Sequence, residues 1–129
     1  MATISYLEYS DRDMKYARDM FSLANYDPCG RFCQQAVEKR MKHYIEHNGT
    51  VDDLSLLHTH ALVKLYSRIC EIKKIPVNKK TRGDLYQLTS YYFDTNYPAE
   101  DGNVELTEAM ATEAITIMLD VCNWVDADA

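Results

Sequence analysis

Glycine, proline and histidine are scarce in this chain, and their absence decides much of what it is not. With four glycines and three prolines in 129 residues, it has no glycine-rich loop to cradle a phosphate and no nucleophile elbow. A His-Glu-x-x-His metal pair is missing too, and no histidine follows His60. Long apolar runs are also lacking. The longest nearly apolar stretch, Ala114 to Leu119, is broken by Thr116 and falls far short of the ~20 residues that span a bilayer. Charges run throughout the first thirty residues, which argues against a signal peptide. The expectation is a cytoplasmic protein with no membrane association, whose four cysteines (Cys29, Cys33, Cys70 and Cys122) remain reduced thiols in apolar faces.

What is present is helical periodicity. The few glycines and prolines fall between segments whose apolar residues recur every three or four positions, so the chain reads as all-α. Ser10 with Asp13 suggests a cap for a first helix carrying Met14, Ala17, Phe21 and Ala24, with an earlier start open because Ile4, Tyr6 and Leu7 are apolar. Asp27-Pro28 signals the start of a second helix running to Asn48, stopped by Gly49. Leu62, Leu65, Ile69 and Ile72 mark a third that ends before Pro76. Val77 to Gly83, basic and polar, reads as an exposed loop. Leu85, Leu88 and Tyr92 define a short fourth helix, and Leu106, Met110, Ala114, Ile117, Val121 and Val125 line a long fifth. Residues 1–129 thus form one domain, a four-to-five-helix antiparallel up-and-down bundle. Phe32, Ala36 and Met41 of the second helix are expected to pack on the third and fifth.

Charge is unevenly spread. Net charge is −6, yet Lys64 to Arg82 holds seven basic residues against Glu71 alone, and Ala99 onward holds eight acidic residues and no basic one. Such segregation steers partners of opposite charge or helps two copies associate. In the second helix Lys39, Arg40, Lys42 and His43 crowd one turn and form a candidate patch for the phosphate of a nucleotide or RNA. Cys29 and Cys33, and separately His43 and His47, are spaced four apart, but Cys29 and His43 lie about 21 Å apart along a helix. They cannot share one ion, and no metal or cofactor is called for. The tyrosines Tyr91, Tyr92 and Tyr97 offer rings for stacking or packing.

The order of three blocks resembles the HEPN domain family. Tyr26-Asp27 followed by Phe32-Cys33-Gln34-Gln35-Ala36-Val37-Glu38-Lys39-Arg40-Met41-Lys42 is similar to the family's second helix. Thr59-His60-Ala61-Leu62 is similar to the opening of its next helix, and Tyr92-Phe93-Asp94-Thr95-Asn96-Tyr97-Pro98 to its Tyr-Tyr to Arg-Tyr-Pro segment. The resemblance implies a helical bundle, a homodimer, and a minimal nucleotidyltransferase-fold protein as partner. It places the chain among ribonuclease toxins of toxin–antitoxin pairs or among nucleotide-binding and non-catalytic interaction modules, and it adds Tyr97 to the ligand-binding candidates. Active members carry an arginine followed closely by a histidine near the start of a late helix. Here that pair is missing and Asn96 stands where the family has arginine. Arg40 and His47 match the spacing in the second helix, and they would be the catalytic pair if the chain were a ribonuclease. The preferred expectation is a non-catalytic module that binds a partner protein or a nucleotide or RNA phosphate.

Overall fold

The computed structural model describes residues 5–96, with side chains through residue 92, and residues 105–127. Tyr97 lies outside them. The described chain folds into five α-helices and one 3-10 helix, with no strand among the described residues. The helices are α1 (Tyr6–Ser22), α2 (Tyr26–Asn48), α3 (Leu62–Lys73), α4 (Lys79–Asn96) and α5 (Glu108–Asp126), and the 3-10 helix spans Val51–His58. None of the described helices is long and apolar enough to cross a membrane.

The centre of the bundle is α2. Cys29, Cys33, Ala36, Val37, Met41 and Ile45 are all buried along it, and it packs against every other helix. The expected contacts of Ala36 and Met41 are core contacts. Phe32 instead turns toward α1, where its ring meets Tyr16 edge-on at 5.3 Å. All four cysteines are buried and unbridged. Burial pushes the Cys122 thiol up to about 11, far from the thiolate form that reacts.

Several boundaries differ from the sequence reading, each for a local reason. The first helix starts at Tyr6, because Ser5 accepts the Glu8 amide proton at 3.1 Å. Ser10 is not a cap but a buried residue whose Oγ donates to the Ala36 carbonyl at 2.7 Å, tying α1 to α2. The second helix starts at Tyr26, two residues before Pro28. Asp27 therefore sits inside the first turn, and its carboxylate accepts the Leu106 amide at 2.7 Å. Gly30 lets Leu106 pack closely beside it, because a Cβ there would force the end of the Leu106 side chain to shift. Thr50 and Asp53 form a capping box that opens the 3-10 helix, an element the periodicity does not show. Asp53 also binds Arg68 through two bonds of 2.7 and 3.0 Å, which holds its carboxyl below the usual range.

Val77 to Gly83 is the largest departure. Asn78 accepts the Thr81 amide at 3.0 Å and caps α4, so helix begins at Lys79 where a loop was expected. Leu85, Leu88 and Tyr91 are buried on one side of this helix, and their burial outweighs the roughly 1 kcal/mol cost of a helical glycine. The fifth helix begins after the Thr107 cap, so Leu106 is buried just ahead of it rather than within it.

Candidate functional site

The four candidates of α2 go to different places. Lys39 binds the buried Asp13 of α1 at 2.5 Å. Arg40, only 7% exposed, donates to Ser10 at 3.1 Å, Asp11 at 2.6 Å and Asp126 at 3.3 Å. Lys42 binds the buried Glu38 at 3.0 Å, and Glu38 also receives Gln34 and contacts His60 Nδ1, each at 3.1 Å. Lys39 and Arg40 are spent on carboxylates of α1 and α5 and Lys42 on one of its own helix, so they do not form one open anion patch.

Arg40 and His43 do line a cleft of about 530 Å3, together with Tyr44, Asn48, Lys73 and Asp126. Lys73 caps the end of α5 there, donating to the carbonyls of Ala127 at 2.9 Å and Trp124 at 3.4 Å. Two helix C-termini, those of α2 and α5, border this cleft, and their partial negative charge opposes an incoming phosphate. Burial, and then the neighbouring His47, push His43 below its ordinary value of 6.5, so at neutral pH it adds no positive charge. His47 is exposed, 3.8 Å from Glu46, and does not line the cleft with Arg40. The spacing of Arg40 and His47 along the helix thus does not bring them to a common ligand site.

The basic run from Lys64 to Arg82 gives a different result. Arg68, Lys73 and Lys80 have partners: Asp53 and Glu71, the α5 carbonyls, and Asp84 respectively. Lys64, Lys74, Lys79 and Arg82 are exposed, and their side chains make no hydrogen bond or ion pair among the described residues. An open groove of about 390 Å3 between α3 and α4 is lined by Val63, Lys79, Arg82, Gly83 and Tyr86, and Lys64 follows Val63 on α3. The Tyr86 side chain is the second most exposed large hydrophobic of the described chain, at 71%. Nothing lies within 4 Å of where a Gly83 Cβ would be, so no packing demands glycine there.

Each feature of this face costs the fold something. Lysines in the first turn of a helix oppose its macrodipole by a few tenths to about 1 kcal/mol each. Glycine inside a helix costs ~0.5–1 kcal/mol relative to alanine, and an exposed tyrosine forgoes the gain of burial. Chemically, the face offers unpaired cations to an anion and an exposed ring to a stacking partner. The sequence reading saw the basic run but not this groove, because its cations were assigned to a loop. The signal that could have found them was the spacing of Lys79, Arg82 and Tyr86, which places them on one helical face.

The HEPN domain family matches residues 5–128. No curated protein matches. Among solved structures, the fold is similar to TT1696 from Thermus thermophilus, with a TM-score of 0.74 at 20% identity over 94% of this chain and 93% of that one. It is also similar to ST0689, an archaeal HEPN homologue, with a TM-score of 0.65 at 19% identity over 93% of this chain and 91% of that one. At such identities these likenesses speak for the fold alone.

Proposed function

The chain belongs to the HEPN domain family, and from that premise we propose that it is a non-catalytic member that binds the phosphates of RNA or of a nucleotide along the α3–α4 groove. The observation that supports this most is the pair of unpartnered cations Lys79 and Arg82 in one groove with the exposed Tyr86 ring, with Lys64 following the groove residue Val63 on α3. The other reading of the family, a ribonuclease, needs a base and an acid at the scissile phosphate. No histidine lines this groove, and the Arg40 and His47 side chains do not share a cleft.

Binding is tested by fluorescence anisotropy of a short labelled single-stranded RNA, with ATP as competitor. Arg82→Gln combined with Lys79→Gln is expected to weaken binding at least tenfold, and Tyr86→Ala several-fold, since base stacking contributes roughly 1–3 kcal/mol. Lys15→Gln, on α1, is the control and is expected to change nothing. Equal affinity of wild type and the double variant would remove the groove from the account. Should the groove variants instead lose capture of an acidic protein while RNA binding is absent, the same face serves a protein partner.

A further inference from the structure

On the α5 side of α4 lies a second concavity of about 300 Å3, between the α3–α4 connection and α5. Its walls are apolar and aromatic. Tyr66 and Trp124 meet with ring centroids 5.2 Å apart and planes tilted by 57°, and Ile75, Ile117 and Val121 add aliphatic walls. The Tyr66 hydroxyl is already engaged, since it accepts the Asn78 amide at 2.9 Å. Ile75 remains 39% exposed at the mouth.

The rim is acidic. Asp84 and Asp120 both line the pocket with Lys80, and Lys80 donates to Asp84 at 2.9 Å. The hydrogen bond that Lys80 donates to Asp84 raises Lys80 above its ordinary value, so Lys80 offsets Asp84 while Asp120 has no such partner. Asp120 itself is exposed and makes no hydrogen bond or ion pair among the described residues. The volume stands at the low end for small-molecule pockets. It suits a single ring with a short chain and is too small for a nucleotide. A negative rim repels phosphate and carboxylate ligands and attracts cations, while Trp124, whose ring already carries the Lys73 ammonium at 5.2 Å, contributes packing surface.

We propose that this pocket binds a small organic cation, with its apolar or aromatic body seated among Tyr66, Ile75, Ile117 and Trp124 and its protonated amine held by Asp120. The Lys80 side chain, 85% exposed, stays on Asp84, and the ligand's ammonium settles beside Asp120. The site shares no lining residue with the α3–α4 groove, so its failure and that of the phosphate-binding reading are separate results.

Trp124 is the only tryptophan in the chain, and its fluorescence reports on the pocket directly. Three probes of one shape are titrated into the full chain: phenethylamine, 2-phenylethanol and 3-phenylpropionate. Phenethylamine is expected to give a saturable change, the alcohol to bind at least tenfold more weakly, and the carboxylate to give none. Asp120→Asn, at an exposed position, is expected to bring phenethylamine to the level of the alcohol and leave the alcohol unchanged, with the thermal midpoint of unfolding showing that the variant is folded. The proposal is overturned if no probe saturates, if wild type binds amine and alcohol equally, or if Asp120→Asn leaves amine affinity intact.

Discussion

Lys42 and Lys79 are the same amino acid with opposite uses, and the difference lies in what surrounds each ammonium. Lys42 is buried against Glu38, itself buried and bonded to Gln34 and His60. Removing one partner of such a pair leaves a charge without compensation, which costs more than the pair contributes when intact. Lys42→Met is therefore expected to lower unfolding free energy by about 3 kcal/mol in urea titration, and adding Glu38→Gln is expected to recover most of that loss. No recovery in the double variant would mean that Lys42 acts through its own packing. This pairing was only partly legible in the sequence. The spacing of Glu38 and Lys42, four apart on one helix, is visible locally. Asp13 for Lys39 and Asp126 for Arg40 lie 26 and 86 residues away, and no periodicity announces such partners.

At the scale of an element, α4 is the informative case. Its apolar face was readable from Leu85 and Leu88, whereas its first turn was not, because Gly83 and three basic residues have the composition of a loop. The helix forms because Asn78 caps it and its far side is buried. Its exposed side is thus free to be shaped by binding rather than stability. Gly83→Ala is expected to raise unfolding free energy by ~0.5–1 kcal/mol, since open space receives the methyl group. Lys79→Glu is expected to raise it by about 0.3–1 kcal/mol by complementing the dipole, while lowering RNA affinity more than tenfold through charge reversal in the groove. Chemical denaturation and anisotropy on the same preparations check both. A variant that lost stability and binding together would show that the basic turn serves the fold.

Across the whole molecule, charge is sorted by partnership. The chain carries a net charge of −6, and most cations of α2 and α3 are spent on holding helices together. Lys64, Lys79 and Arg82 on α3 and α4 have side chains without a partner among the described residues, as do Arg18 on α1 and Lys74 just after α3. Fold class, the core contacts of Ala36 and Met41 and the burial of all four cysteines were legible because apolar periodicity reports burial directly. The α3–α4 groove was not, because which cations are free depends on tertiary pairing. On the function proposed above, this groove holds RNA phosphates without cutting them. The most direct measurement is the salt dependence of binding to an end-labelled single-stranded RNA, with the length of the RNA read from the same samples. Three phosphate contacts predict that log K falls against log salt with a slope of about −2, and that the RNA remains full length throughout. Absence of binding at low salt, a slope near zero, or shortened RNA that accumulates with protein concentration would contradict it.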